Sequence, residues 1–260
     1  TSSRSIGLRA DIDGLPVREL NEFPHRSRHV GRMHACGHDG HTAMLLAASR
    51  YLAQHGDFDG SVHLIFQPAE EGGAGAQRMI DDGLFERFPC DAVYGMHNWP
   101  GLNVGQFALR EGPVMASSNE FTITITGRGG HAALPHLSVD PVLVATHLVQ
   151  ALQSIVTRNK KPIETAVLSV TKIHAGEAFN AIPDSAVISG TVRTFTTETL
   201  DLVEARMRAI VEQLPKAFDA SGSLSFRRGY PPTVNHREQT AFARAVLHDM
   251  VGAHNLFDFE

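Results

Sequence analysis

Residues 61–72 read Ser61-Val62-His63-Leu64-Ile65-Phe66-Gln67-Pro68-Ala69-Glu70-Glu71-Gly72, an apolar run closed by a proline and two adjacent acids. Similar apolar runs bounded by Gly, Pro or Asp occur at Ser5–Arg9 and Asp91–Met96, and all of them predict buried strands. Apolar residues at helical spacing predict helices at Thr42–His55 and Glu71–Asp82. Strands that alternate with helices predict an α/β fold with a largely parallel sheet.

Carboxylates and a histidine follow these predicted strands directly. In chain order they are Asp11, Asp13, Glu70, Glu71 and His97. In open α/β sheets, ligands gather at the carboxyl ends of the strands. We therefore expect these side chains to meet at one edge of the sheet and to form a site there.

The densest group of metal-type donors is Met33-His34-Ala35-Cys36-Gly37-His38-Asp39-Gly40-His41. Thiolate, imidazole and carboxylate are the donors that a divalent metal site needs, and carboxylates beyond the ligand count suggest a base acting on metal-activated water. Cys36 and His38 are the candidate ligand pair, because the neighbouring glycines let the backbone pass close to an ion. For His34 and His41 we expect a supporting or solvated role.

Each of these features also has a purely structural explanation. Paired acids such as Glu70 and Glu71 complement the dipole at a helix start, and His97 could be a core histidine. Asp11 and Asp13 could hydrogen-bond at a strand end and in an Asx turn. The position of the acid pair after an apolar strand, rather than on a solvated helix face, favours the functional interpretation.

The second half of the chain follows another pattern, which begins with the strict alternation of a half-buried strand. The predicted elements are a strand at Phe121–Thr126, a helix from Asp140-Pro141 to Val156, strands at Thr165–Ile173 and Ala186–Phe195, a helix at Thr197–Leu214 and a strand at Ser223–Arg227. The order β-α-β-β-α-β is that of a ferredoxin-like module. We place this module at 115–227, between a first domain at 1–114 and a return to that domain at 228–260, which opens with a helix at Arg237–Val251.

Composition narrows the class of protein further. The chain has 260 residues, a formal net charge of −5 and a hydrophobic content of 42%. No basic cluster points to a nucleic-acid partner, and no apolar run is long enough for a membrane span. The two cysteines, Cys36 and Cys90, suit a reducing cytoplasm rather than a disulfide framework. The two ends of the sequence indicate a fragment of a longer protein.

Six motifs run in order along almost the whole chain. They are Leu8–Pro16, Met33–His41, Phe66–Gly72, Gly95–His97, Gly127–His136 and Phe179–Asp184. Together they resemble the aminoacylase/hippurate hydrolase family of metallopeptidases. The closer branch is the amidohydrolases that cleave N-acyl amino acids such as hippurate or indole-acetyl conjugates.

The resemblance implies a zinc-exopeptidase-like catalytic domain, with a mixed, largely parallel sheet flanked by helices. It also implies an inserted ferredoxin-like α+β lid through which the protein forms a homodimer. Two divalent ions, zinc or manganese with nickel or cobalt as alternatives, would be held by Cys36, His38, Glu71 and His97. Glu70 would act as the general base.

The same resemblance assigns roles to the lid and to the strand-end turn. His131 would reach the active site of the partner subunit, and Asn180 and Arg193 would grip the carboxylate of the substrate. Asp11 and Asp13 would support the metal ligands. Family members extend beyond both ends of this sequence and supply a further histidine ligand from the C-terminal part.

The main functional hypothesis is therefore hydrolysis of the amide bond between an acyl group and an amino acid, a small-molecule substrate, by a cytoplasmic enzyme. Two alternatives remain open from the residues. One is a dipeptidase or an N-carbamoyl amino acid hydrolase of the same family. The other is an inactive metal-binding or dimerisation fragment that lacks the last ligand.

Overall fold

The computed structural model describes residues 2–259 and divides into two compact units, the first ending at Gly105 and the second beginning at Gln106. The first unit contains strands β1 (Ser5–Asp11), β2 (Ser61–Gln67) and β3 (Ala92–Gly95) and helices α1 (His38–Gln54), α2 (Gly75–Asp81) and α3 (Leu84–Arg87). The strands form a parallel sheet in the order β2-β1-β3. The predicted α/β fold with a parallel sheet is confirmed.

Helix α1 begins four residues before its predicted start. Gly37 precedes it with a φ of 80°, a left-handed conformation that glycine adopts at low cost, and the helix starts at once with His38. His38 and His41 therefore share the first turn, and both side chains are buried. The local geometry of the Gly37 turn, which periodicity does not report, sets this boundary.

Helix α2 begins at Gly75, later than the predicted start at Glu71. The intervening segment is a tight turn, in which Ala69 and Ala74 have φ values of 51° and 53° and the Gly75 N–H donates to the Ala69 carbonyl. The acids at 70 and 71 consequently lie in a loop and not in the first turn of a helix.

The second unit is built mainly from strands. They are β4 (Phe107–Leu109), β5 (Gly112–Met115), β6 (Asn119–Thr126), β7 (Gly130–His131), β8 (Ala166–Ala175), β9 (Ala181–Ile182), β10 (Ser185–Thr194), β11 (Ser221–Arg228), β12 (Thr233–Asn235) and β13 (Leu256–Asp258). Its helices are α4 (Pro141–Ser154), α5 (Thr197–Gln213) and α6 (Arg237–Val251), with a π-helical turn at Ile155–Asn159 and 3-10 turns at Pro135–Leu137, Pro215–Phe218 and Ala253–Asn255.

An antiparallel sheet in the order β11-β6-β10-β8 forms the centre of the second unit. Alternate residues of β6 are buried, and α4 and α5 pack side by side on that face. The fully buried side chains Ile123, Ile188, Leu148 and Met207 come from both layers. The β-α-β-β-α-β order predicted for this segment is confirmed.

The segments on either side of this sheet pair with each other. Strand β5 pairs with β12, strand β4 pairs with β13, and α6 contacts β4 and β13. Sequence periodicity predicted α6 but none of these short strands. The domain division at residues 115 and 227 stays a prediction.

The helices were compared with what a membrane span requires. Within residues 2–259, no helix combines the length and the apolar character that crossing a membrane would need.

Asp140 caps helix α4, since its Oδ1 accepts hydrogen bonds from the N–H groups of Val142 (2.8 Å) and Leu143 (3.4 Å). Asp140→Ala should lower the free energy of unfolding by about 1 kcal/mol, because those N–H groups lose their acceptor. Chemical denaturation measures this change. Gln150→Ala, on the exposed face of the same helix, is the control and should stay within about 0.5 kcal/mol of the parent. Equal losses in the two variants would contradict the capping role.

Candidate metal centre

The donors expected at the edge of the first unit's sheet do come together there. Three overlapping groups have potential ligand atoms within 4.8 Å of one another: Cys36, His38 and His97; His38, Glu70 and Glu71; and Asp11, His38 and His41. His38 belongs to each of the three groups. Strands β1, β2 and β3 and the start of α1 deliver these residues, as expected for the carboxyl ends of parallel strands.

Cys36 and His97, which are 61 residues apart in sequence, face each other with Sγ and Nε2 separated by 3.4 Å. The other ring nitrogen of His97, Nδ1, donates to the backbone carbonyl of Asn98 at 2.6 Å. This bond fixes the proton on Nδ1 and turns the lone pair of Nε2 towards the thiol. His97 is exposed, so it is not a core histidine.

His38 shows most directly that this cluster suits a cation. Its side chain is 1% exposed, and within residues 2–259 neither ring nitrogen makes a hydrogen bond. Nδ1 lies 3.3 Å from Oδ1 of Asp13, and Nε2 lies 3.7 Å from Asp11 and 3.9 Å from Glu71. A buried polar group without a partner costs free energy, and a metal ion would give Nε2 the partner that it lacks. The residues present therefore fit a bound metal.

The acid pair sits in the loop between β2 and α2. Asp13 Oδ2 accepts the backbone N–H of Glu71 at 3.0 Å, which ties this loop to the turn after β1. Helix α2 starts four residues after Glu71, so the acids do not cap it. Burial raises the pKa of Glu70, and the neighbouring charges of Glu71 and Asp11 raise it further. A half-buried carboxyl with a raised pKa suits a group that accepts and returns a proton.

The thiol of Cys36 is perturbed in the same direction. Burial, and after it the negative charge of Glu71, raise its pKa to about 11. Without a cation the thiol therefore keeps its proton at neutral pH. A bound metal reverses this preference, because the thiolate is the form that ligates.

His41, for which we expected a supporting or solvated role, is not solvated. His41 is 2% exposed, and its ring nitrogens contact Asp11 and Asn98. Arg9 completes the group through a contact of 2.9 Å to Asp11. The spacing of His41 three residues after His38 indicated a shared helix face, but its partners are distant in sequence and no local pattern identifies them.

The predicted lid residues His131 and Asn180 lie close together within the second unit. Strand β7, which contains His131, pairs with β9, and the Ala132 N–H donates to the Asn180 carbonyl at 3.0 Å. The Ala133 N–H donates to His131 Nδ1 at 3.1 Å, so Nδ1 accepts and the ring proton is on Nε2. Both residues are exposed.

Arg193 is not brought to the same place within one chain. It lies near the end of β10 and pairs with Val167, whereas Asn180 lies in the segment that leads from Ala175, the partner of Ala186, to the start of β10. About 20 Å of extended strand separates these two ends. Arg193 is exposed and donates to the Ser117 carbonyl at 3.5 Å, and no carboxylate of residues 2–259 lies within ion-pair distance of it.

Comparison with known proteins gives one family for almost the whole chain. The profile described as Peptidase family M20/M25/M40 matches residues 7–258. N-acetyl-L-cysteine deacetylase of Bacillus subtilis is 46% identical over 94% of the chain and 58% of its own length. Hippurate hydrolase of Campylobacter jejuni is 44% identical over 98% of the chain and 66% of its own length. IAA-amino acid hydrolase ILR1-like 4 of Arabidopsis thaliana is 39% identical over 98% of the chain and 59% of its own length.

Solved structures agree with this result. The YXEP protein of Bacillus subtilis, described as a dinuclear metal binding peptidase from the M20 family, superimposes with a TM-score of 0.83 and is 34% identical over 99% of the chain and 66% of its own. A tripeptidase from Staphylococcus aureus, 17% identical over 98% of the chain and 67% of its own, shares the fold with a TM-score of 0.75. The chain spans about three fifths of the length of the curated relatives that it matches.

The raised pKa of Cys36 gives a prediction about proton release. Because the thiol is protonated below a pH of about 11, zinc binding should release its proton, and affinity should rise with pH. Calorimetric titration in buffers of different ionisation enthalpy should count about one proton fewer for Cys36→Ala than for the parent. Cys90→Ala, a free thiol outside the cluster, should match the parent. Equal proton release by the parent and Cys36→Ala would rule out the thiolate as a ligand.

Proposed function

The chain belongs to the peptidase family M20/M25/M40, and from that membership and the geometry of the donor cluster we propose that it forms the core of a metal-dependent amidohydrolase. The substrate class is N-acyl amino acids, whose amide bond is hydrolysed. Relatives at 39–46% identity that are named as deacetylases and hydrolases of such compounds support this class. The observation that carries the proposal is the buried His38 imidazole, which makes no hydrogen bond within residues 2–259 and lies among carboxylates beside Cys36 and His97.

Cys36, His38, Glu71 and His97 are the proposed ligands of two divalent ions. A thiolate together with imidazole ligands suits zinc, while the carboxylates also accept manganese, nickel or cobalt. Such ions activate water and polarise the carbonyl group of the scissile bond. Asp11 and Asp13 support the ligands, since Asp11 lies between Arg9 and His41 and Asp13 faces His38 Nδ1.

Glu70 is the proposed general base. It takes a proton from the attacking water and passes it to the leaving nitrogen. Its half-buried position and the raised pKa support this role, because the protonated form must be accessible during turnover. Its neighbour Glu71 is the ligand in this scheme, since Glu71 Oε1 is the atom that approaches His38.

His131, Asn180 and Arg193 are the proposed substrate-binding groups. His131 donates to the oxyanion that develops at the carbonyl oxygen, while Asn180 and Arg193 hold the free carboxylate of the amino acid. Asn180 lies in the segment before β10 and Arg193 lies near the end of that strand, an arrangement that favours a site to which two chains contribute. This supports a homodimer formed through the segment 115–227, which acts as the lid.

The remaining proposals concern the domains and the location. The paired strands on either side of the antiparallel sheet support an inserted lid, with 1–114 and 228–260 belonging to the catalytic domain. A reducing cytoplasm is the proposed location, and the two free cysteines support it.

Glu70→Gln should lower kcat by roughly 10²- to 10⁴-fold on N-acetyl, N-benzoyl or N-carbamoyl amino acids, because the base is lost while the shape is kept. The full-length gene product is the protein to assay, and its metal content is measured in parallel. The variant should bind as much metal as the parent. The matched variant Glu71→Gln should lose metal as well as activity.

A wild-type rate in Glu70→Gln would exclude Glu70 as the base. If the protein preferred a dipeptide or an N-carbamoyl amino acid, it would be a dipeptidase or an N-carbamoyl amino acid hydrolase of the same family. A parent protein that binds metal but hydrolyses none of these compounds would leave only the metal-binding function.

Mixing two inactive variants tests the two-chain site. His131→Ala and Arg193→Ala should each abolish most activity alone. Equal mixing with subunit exchange should restore roughly a quarter of the wild-type rate, because half of the dimers are mixed and each mixed dimer has one intact site. Each variant mixed with itself is the control. No recovery, with exchange shown by a labelled subunit, would place both residues in the same chain's site.

A further inference from the structure

His41 joins the separate segments of the metal centre. It lies in the first turn of α1, three residues after His38. The centroid of its ring is 4.5 Å from that of His97. Its Nδ1 lies 2.5 Å from Oδ1 of Asp11 at the end of β1. Its Nε2 lies 2.9 Å from both the backbone N and Oδ1 of Asn98, in the loop after β3.

These contacts distinguish His41 from a metal ligand. A carboxylate only accepts, so Nδ1 of His41 carries a proton and donates it to Asp11, and Nε2 is engaged by Asn98. His41 therefore offers no unused ring nitrogen, whereas both nitrogens of the neighbouring His38 make no hydrogen bond within residues 2–259. Asp11 is also engaged at both oxygens, since Arg9 Nη1 contacts Oδ2 at 2.9 Å.

Asn98 is the residue through which His41 acts on the ligands. It follows His97 directly, and its carbonyl holds the Nδ1 proton of His97. Its side-chain amide donates to the carbonyl of Gly37 at 3.3 Å, beside Cys36 and His38. A β-carbon at position 37 would collide with this amide, so the loop after β3 and the start of α1 are in close contact.

We propose that His41 is a positioning residue that fixes the loop after β3 against helix α1 and so keeps the His97 ring beside the Cys36 thiol. This inference rests on the metal site of the proposed function. The contact with Asn98 performs the positioning, and the contact with Asp11 orients the His41 ring. Removing the Asn98 contact should loosen the Cys36–His97 pair while the other ligands stay in place.

Two amide substitutions separate the contacts. An asparagine amide reaches the place of Nδ1, so His41→Asn keeps a donor for Asp11 and loses Asn98. A glutamine amide reaches the place of Nε2, so His41→Gln keeps Asn98, as donor or acceptor, and loses the donor to Asp11. Each variant of the full-length protein, stripped of metal, is titrated with Co²⁺ against a chelator, and the thiolate-to-cobalt absorption band reports ligation by Cys36.

His41→Asn should weaken Co²⁺ binding by roughly 10- to 100-fold, as expected for a lost supporting contact, and should diminish the thiolate band. His41→Gln should keep the affinity and the band close to those of the parent. Equal loss in both variants, or no loss in either, would overturn the proposal. If His41→Asn does not fold, His41→Ala takes its place, since it also loses the Asn98 contact and should show the same loss of the thiolate band.

Leu45→Ala is the control for general loosening. Leu45 is 6% exposed, lies one turn further along α1 and belongs to none of the three donor groups. This variant should lower the thermal unfolding temperature and leave Co²⁺ affinity unchanged. If it weakens Co²⁺ binding as much as His41→Asn does, the positioning role is wrong. A parent protein without the thiolate band would refute the metal site itself, and this inference with it.

Discussion

The first unit is organised around a buried imidazole that the protein alone does not satisfy. His38 is enclosed by strand ends and the start of α1, and its nitrogens face carboxylates without making a hydrogen bond within residues 2–259. Such an arrangement is costly unless a cation joins it. The parallel sheet makes the arrangement possible, because the strands end at one edge and each is followed by a donor. The left-handed turn at Gly37 starts α1 at His38 and so places this imidazole among the strand ends.

The site also contains a buried negative charge, that of the Asp11 carboxylate, which neighbouring groups stabilise. Although burial raises the pKa of Asp11, the hydrogen bond from His41 and the charge of Arg9 hold it below its usual value. The carboxylate therefore stays ionised in the interior, where Arg9 and His41 compensate its charge. Asp13 behaves similarly: burial raises its pKa, but the backbone N–H groups of Glu71 and Glu70 outweigh this effect and hold the pKa below its usual value. Fixed acids of this kind orient neighbouring groups, as Asp11 orients the ring of His41, rather than exchange protons.

Periodicity and strand-end position were sufficient to predict most of the fold and the donors of the first unit. The predicted helix boundaries were wrong where a single φ value decides the structure, and contacts with distant partners were not predicted. Gly37 moves the start of α1, and the turn at Ala69 delays α2. The role of His41 depends on Asp11 and Asn98, which lie 30 and 57 residues away in sequence. Sequence periodicity did not predict strands β4 and β5, which are short and pair with strands more than one hundred residues further along the chain.

The pairing of β5 with β12 has a consequence for how such a protein can be assembled from parts. Adjacent strands lie about 5 Å apart, so the chain leaves and re-enters this point with its two ends side by side. Because closure entropy grows only slowly with length, the segment between these two strands can change in length at little cost to their pairing. A change in length that is confined to the intervening residues therefore leaves the framework of these two strands in place.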